Sequence, residues 1–213
     1  AVVHPHGEGD EESILYVDTH AGAGLYQLQE LHKQNLQKLL CVSTRRMPAS
    51  VHAYVDCLRS FEGYPGSPLL PLRLGCRAVL FEAVRSTYEE LCENIKGFGG
   101  VEVFHEDAYR GLPKLLSEPQ RGRPLIFIDP PYDLCFADNL NFTLVQQIQQ
   151  AWPDSTVALW YPMRDDSRSQ RVYRRMARLG PVLACEFALS HSSCQKAAVR
   201  TGILLLQPPE SVE

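Results

Sequence analysis

The sequence predicts an α/β fold around a mostly parallel sheet, and three observations carry that prediction. Short apolar runs recur along the chain, amphipathic helical patterns separate them, and an acid or a glycine turn closes several of the runs. Five runs fit strands, at 14–17, 78–81, 101–104, 125–128 and 156–160. Helical patterns at 84–96, 110–117, 139–151 and 165–179 lie between or after them and supply the crossovers that parallel strands require.

Residues 1–12 hold His4, Pro5 and His6 among glycines and the acids Glu8, Asp10, Glu11 and Glu12. They offer little to bury, so they are expected to form a flexible tail, with one domain over 13–213. The two histidines on such a tail are not expected to hold a metal. The first strand ends in Asp18-Thr19-His20-Ala21-Gly22-Ala23-Gly24. Glycines there allow a tight turn and a close backbone approach to an adenosine-bearing ligand, although a short Gly-x-Gly also occurs as a purely structural turn. The third glycine of a dinucleotide fingerprint is missing.

About 60 residues separate the first two strands, more than one crossover helix needs. Leu25, Leu28, Leu36, Leu39 and Leu40 share a helical face and a second helix fits near 49–61, so an inserted helical lobe is expected at about 27–75. Glu82 closes the second strand, where an acid can accept hydrogen bonds from ribose hydroxyls. Asp107 follows the third strand, in position to take an adenine amino group; a solvated carboxylate is the plainer reading of either acid.

The fourth strand leads into Asp129-Pro130-Pro131-Tyr132. Two prolines stiffen the turn and remove two backbone donors, leaving carbonyls as acceptors. An aryl amine is a poor nucleophile because its lone pair is delocalised into the ring. Hydrogen bonds from that amine to the Asp129 carboxylate and the Pro130 carbonyl favour a pyramidal nitrogen and offset the charge that grows during alkylation. Tyr132 can stack on the purine. Arg164, Arg168, Arg171, Arg175 and Arg178 fall on one helical face with Arg174 beside them, suited to phosphates or simply to solvent. Apolar runs at 181–189 and 199–206 suggest a closing antiparallel pair, making seven strands.

With 45% hydrophobic residues, the 213-residue chain can bury one core, and no stretch approaches the roughly 20 apolar residues of a membrane span. A formal charge of -4 argues against blanket attraction to nucleic acid but leaves room for a local basic stripe. Seven cysteines without a CxxC pair point to a reducing compartment and to no zinc site. The cytoplasm is expected, or an organelle matrix if a targeting segment precedes Ala1. A monomer is expected.

Together these residues resemble the bacterial large-subunit (23S) ribosomal RNA adenine-N6 methyltransferases of the RlmJ type. Four blocks carry the resemblance: Tyr16 to Tyr26 around the glycine turn, Tyr64-Pro65-Gly66-Ser67-Pro68, Ile128-Asp129-Pro130-Pro131-Tyr132 and Ala158-Leu159-Trp160-Tyr161-Pro162. They span roughly 14–209 in the family's order. The resemblance implies a class I S-adenosylmethionine-dependent methyltransferase fold (Rossmann-like), a seven-stranded mixed sheet, and a lobe that helps to receive RNA. It implies that His20, Ser67, Glu82 and Asp107 contact the cofactor and that Asp129 holds the target amine. Gly22 and Ala108 belong to the same cofactor loops, Ala108 standing where the family often has glycine. Residues 1–13 do not resemble the family's His- and Lys-bearing opening segment, which would lie upstream or be absent.

The expected activity is therefore S-adenosylmethionine-dependent N6-methylation of an adenine in ribosomal RNA; the residues alone do not separate RNA from DNA. Two rivals differ in class. One is a catalytically impaired RNA-binding module that keeps this fold but lacks the opening segment. The other is a dinucleotide-dependent oxidoreductase, which predicts NAD binding and indifference to Asp129→Ala.

Overall fold

The computed structural model describes residues 2–4, 14–41, 48–118, 120, 122–131, 138–163, 166–189 and 199–210. Its strands are β1 (Val2–His4), β2 (Leu15–Asp18), β3 (Leu25–Tyr26), β4 (Tyr64–Pro65), β5 (Arg77–Phe81), β6 (Val101–Phe104), β7 (Leu125–Ile128), β8 (Thr156–Pro162), β9 (Val182–Leu189) and β10 (Val199–Leu206). Its helices are α1 (Glu30–Leu40), α2 (Ala49–Arg59), α3 (Leu69–Arg73), α4 (Arg85–Asn94), α5 (Ala108–Leu115), α6 (Asp138–Ala151) and α7 (Asp166–Met176).

The main sheet runs β1-β6-β5-β2-β7-β8-β10-β9. The five strands β6, β5, β2, β7 and β8 are parallel, and β10 inserts antiparallel between β8 and β9. From β2 the chain builds outward through β5 to β6, then returns to the other side of β2 to add β7 and β8. The loops leaving β2, β5 and β7 therefore diverge at the carboxyl ends of the strands, and that divergence opens a crevice beside β2.

The sheet is covered on both faces, which is why its central strands read as apolar runs rather than alternations. Leu15 and Val17 of β2 join Phe81, Ile126, Ile128, Leu112 of α5 and Val145 and Ile148 of α6 in one core. Tyr16 faces the other way, among Leu80, Val101, Val103, Leu69 of α3 and Leu91 of α4. The period of two along β2 thus sends its hydrophobic residues to opposite cores. The expected mixed, largely parallel sheet of seven strands is present.

The structure departs from the sequence reading in two places. Val2–His4, inside the segment expected to be tail, pairs antiparallel with β6 through Val2 opposite Val103 and His4 opposite Val101, adding an eighth strand at the sheet edge. Two β-branched residues are enough to extend a sheet whose backbone groups are otherwise unpaired at that edge. Leu25, expected on a helical face, lies instead in β3, which pairs with β4 through Leu25 opposite Pro65 and Tyr26 opposite Tyr64. The lobe's first helix starts at Glu30. The five described cysteines are all free thiols. No helix among the described residues is long and apolar enough to cross a membrane.

Candidate active site

The loop after β2 is stitched to both neighbouring strands. Thr19 N–H donates to the Phe127 carbonyl at 3.1 Å, on the β7 side, and Ala21 N–H to the Phe81 carbonyl at 3.0 Å, on the β5 side. Gly22 N–H then donates to Glu82 Oε2 at 3.1 Å. Glu82 Oε1 in turn accepts from Val84 N–H at 2.7 Å. The chain is held across the crevice of the sheet, and the turn it makes needs glycine: φ is +63° at Gly22 and +78° at Gly24. Gly66 N–H donates to the Gly24 carbonyl at 2.6 Å, and Asn94 Nδ2 to the Ala23 carbonyl at 2.8 Å, so the lobe and α4 fix the back of the same loop.

In front of it lies a cleft of about 510 Å³ that brings together His20, Gly22, Glu82, Asp107, Ala108 and Asp129. Six of the residues singled out in the sequence therefore share one space, within the range usual for small-molecule sites. Thr19, Phe81, Ala83, Val84, Thr87, Glu106 and Pro131 also line it and were not singled out in the sequence as site residues. Phe81, as the last residue of an apolar run ending at an acid, carried the signal that could have found it.

Two expected site residues, Ser67 and Pro130, sit outside the cleft lining. Ser67 is not among the lining residues; its hydroxyl hydrogen-bonds the Asp18 carboxylate behind the glycine loop. Pro130 is buried, and its neighbour Pro131 meets the cleft instead. Tyr132 lies outside the described residues.

Asp18 is wholly buried beneath the loop. It accepts from Tyr16 Oη at 2.9 Å, from His20 N–H at 3.1 Å and from Ser67. Burial pushes its pKa up, and these three donors pull the other way by stabilising the charged form. Asp129 opens to solvent at the cleft mouth, and the rest of its carboxyl group is partly desolvated by the protein. That desolvation, with the Asp18 charge second, raises its pKa to about 6. His20 goes the opposite way, lowered to about 4 by burial against a smaller opposing effect of Asp107. It is neutral at physiological pH, with Nδ1 2.8 Å from Thr19 Oγ1 and its ring edge-on to Tyr109 at 5.6 Å.

Asp107 caps α5, Oδ1 accepting from Tyr109 N–H at 2.9 Å. A carboxylate has lone pairs for a cap and a ligand together. The same holds for Glu82, whose two backbone bonds use one lone pair on each oxygen. Among the described residues the lining contains four carboxylates, Glu82, Glu106, Asp107 and Asp129, and no lysine or arginine; of the four, Glu106 is paired with Lys114. Such a lining attracts a cation and repels a phosphate.

A diol acceptor, an apolar slot beside Phe81 and Val84, and net negative charge fit a sulfonium-bearing nucleoside such as S-adenosylmethionine. They do not fit the pyrophosphate of a dinucleotide.

Comparison with known proteins gives a consistent answer. The family model for ribosomal RNA large subunit methyltransferase D, RlmJ, matches residues 11–213. Ribosomal RNA large subunit methyltransferase J of Haemophilus influenzae is 27% identical over 222 residues, covering 95% of this chain and 78% of that protein. Its Escherichia coli counterpart is 28% identical over 219 residues, with the same coverage of 95% and 78%. Among solved structures, a Legionella pneumophila protein superposes with a TM-score of 0.79 at 22% identity, covering 95% of this chain and 80% of that one. The methyltransferase domain of METTL16 superposes with a TM-score of 0.54 at 12% identity, covering 95% and 63%.

Proposed function

The chain belongs to the RlmJ family of ribosomal RNA large subunit methyltransferases, and from that premise we propose that it transfers a methyl group from S-adenosylmethionine to the N6 amine of an adenine in large-subunit ribosomal RNA. The Haemophilus influenzae and Escherichia coli relatives are named ribosomal RNA methyltransferases, and the match runs over most of the chain. The observation that carries the reading at the level of chemistry is the cleft itself: Asp129 shares one acidic space with Gly22, Glu82 and Asp107.

S-adenosylmethionine, when bound, supplies an electrophilic methyl on a positively charged sulfur. In the proposed arrangement Glu82, held by its bond from the glycine loop, would accept the ribose hydroxyls, and Asp107 beside Ala108 would bind the adenine of the cofactor. His20, neutral and wedged against Tyr109, closes one wall without adding charge. Asp129 is ionised above about pH 6 and accepts a hydrogen from the target amine. A second hydrogen would go to a backbone carbonyl of the Asp129-Pro130-Pro131 corner, which turns the nitrogen lone pair out of the ring. The carboxylate would offset the charge that develops on nitrogen as the carbon–sulfur bond breaks to leave a neutral thioether, until the methylated amine releases its surplus proton to solvent, and orientation supplies much of the remaining rate. Because the base must leave its stack, unpaired or partly deproteinised RNA is the favoured substrate.

The oxidoreductase reading loses support here, because a pyrophosphate would face carboxylates with no compensating cation among the described lining residues.

The test is transfer of labelled methyl to ribosomal RNA from cells lacking the enzyme, comparing the wild-type chain with Asp129→Ala. The expected result is near-complete loss of transfer with cofactor binding retained. Equal labelling by both proteins would overturn the mechanism, and cofactor binding without transfer by the wild type would favour an RNA-binding module.

A further inference from the structure

A cleft lined by carboxylates repels the phosphates on either side of any base presented to it, so an RNA substrate must be held by another surface. One stands next to the site. Between α6 and α7 and over the end of β8 there is a groove of about 360 Å³, lined by Arg171, Arg174, Arg175 and Arg178 with Asn141 and Trp160. No carboxylate lines it among the described residues, and none of the four arginines forms an ion pair with a described residue. Glu186 of β9, close by, accepts from the Tyr161 hydroxyl at 2.8 Å.

The groove is tied to the cleft by a short chain of contacts. Asn141 Oδ1, on its wall, accepts from Tyr109 Oη at 2.6 Å, and the Tyr109 ring meets His20 of the cleft. The first turn of α6, which carries Asn139 and Asn141, is the next described segment of the chain after the Asp129 corner. The arginines differ in what they already do. Arg175 donates to Asn139 Oδ1 at 2.7 Å and lies 4.1 Å over the Phe142 ring, which pins α7 to α6. Arg171, Arg174 and Arg178 are exposed, and helical hydrogen bonds continue past Met176 to Leu179. Seven residues at helical rise set Arg171 and Arg178 about 10 Å apart, room for two or three successive phosphates of a single strand.

We propose that this groove binds the phosphate backbone of the RNA next to the target adenine, with Arg171, Arg174 and Arg178 as the contacts and Arg175 as the residue that positions them. The inference rests on the RNA methyltransferase reading and adds where the substrate is gripped.

Its test compares the wild-type chain with two triple variants, Arg171→Gln/Arg174→Gln/Arg178→Gln and Arg171→Lys/Arg174→Lys/Arg178→Lys, on deproteinised ribosomal RNA. RNA affinity is measured across a salt series, together with cofactor affinity and methyl transfer at saturating RNA. The glutamine variant is expected to bind RNA on the order of tenfold more weakly and to lose about 2 from the slope of log K against log salt, at about 0.7 per phosphate contact. Its cofactor affinity and saturated rate should match the wild type. The lysine variant keeps the charge and should stay within about threefold of wild-type affinity. Wild-type affinity and slope in the glutamine variant, or equal losses in both variants, would overturn the proposal. A wild-type chain that neither binds nor methylates RNA would instead remove the functional reading beneath it.

Discussion

The Glu82 carboxylate accepts the backbone N–H of Gly22 at 3.1 Å and that of Val84 at 2.7 Å. The acid at the end of β5 therefore shapes the glycine loop that follows β2, as well as lining the cleft. Removing it should cost binding twice, through the lost ligand acceptor and through a loosened loop. Charge-assisted hydrogen bonds are worth about 1.5–3 kcal/mol each, so Glu82→Ala is expected to weaken S-adenosylmethionine binding by about 10- to 100-fold. Glu82→Gln keeps acceptor capacity and should lose less. Isothermal titration of both variants checks this, and cofactor binding unchanged in Glu82→Ala would place the ligand elsewhere.

Gly22 gives a second, independent handle on the loop. Its φ is +63°, and a Cβ there would collide with the Tyr26 hydroxyl. Gly22→Ala should therefore lower both Tm and cofactor affinity, through about 1 kcal/mol of left-handed strain plus the clash. Tyr26→Phe removes the hydroxyl but not the strain, so the double variant should recover part of the loss. Thermal melts of the four proteins of this cycle separate the two effects. Strictly additive losses would mean that Tyr26 yields freely and the clash is absent.

Much of this site is legible in the sequence because its parts sit where local chemistry and topology agree. An acid closing an apolar strand, a glycine turn leaving another and a proline-braced corner leaving a third must converge once the strands are parallel and adjacent. What the sequence does not disclose depends on distant pairings. Ser67 reaches Asp18 rather than the cleft because Gly66 binds the Gly24 carbonyl, a contact that no local pattern announces. Val2–His4 is short and set in polar surroundings, and only the open edge of β6 makes it a strand. The arginine stripe is visible as a period, but its division into one residue locked by Asn139 and Phe142 and three facing outward requires the placement of α6.

Proton uptake by Asp129 should govern the acid side of catalysis. Its carboxyl group must be ionised to accept an amine hydrogen, and its pKa stands at about 6. The kcat/KM for RNA is thus expected to rise through about pH 6 and level off above about pH 7. His20, at about 4, stays neutral over that range and adds no second limb. Asp18 contributes to the raised value by its charge, so Asp18→Asn should move the limb to lower pH. A limb that does not move in that variant would show that the two carboxylates do not sense each other.

The same carboxylate should cost the protein stability, with a definite sign and pH window. The folded-state pKa of Asp129 lies above its ordinary value of 3.8, so the native chain holds this proton to higher pH than the unfolded chain does. Ionising it therefore destabilises the fold progressively between about pH 4 and pH 6, and the full cost persists above that. A neutral amide in the same place would carry no such cost. Asp129→Asn is accordingly expected to melt higher than the wild type at pH 7.5, on the order of 2 °C, with the gain shrinking toward zero near pH 4. Methyl transfer should be lost in the same variant, because an amide bears no charge to offset the one growing on nitrogen. Melting curves across that range decide the matter: a gain that does not vary with pH, or a variant less stable than the wild type at pH 7.5, would mean that Asp129 is not held in the partly desolvated corner described above.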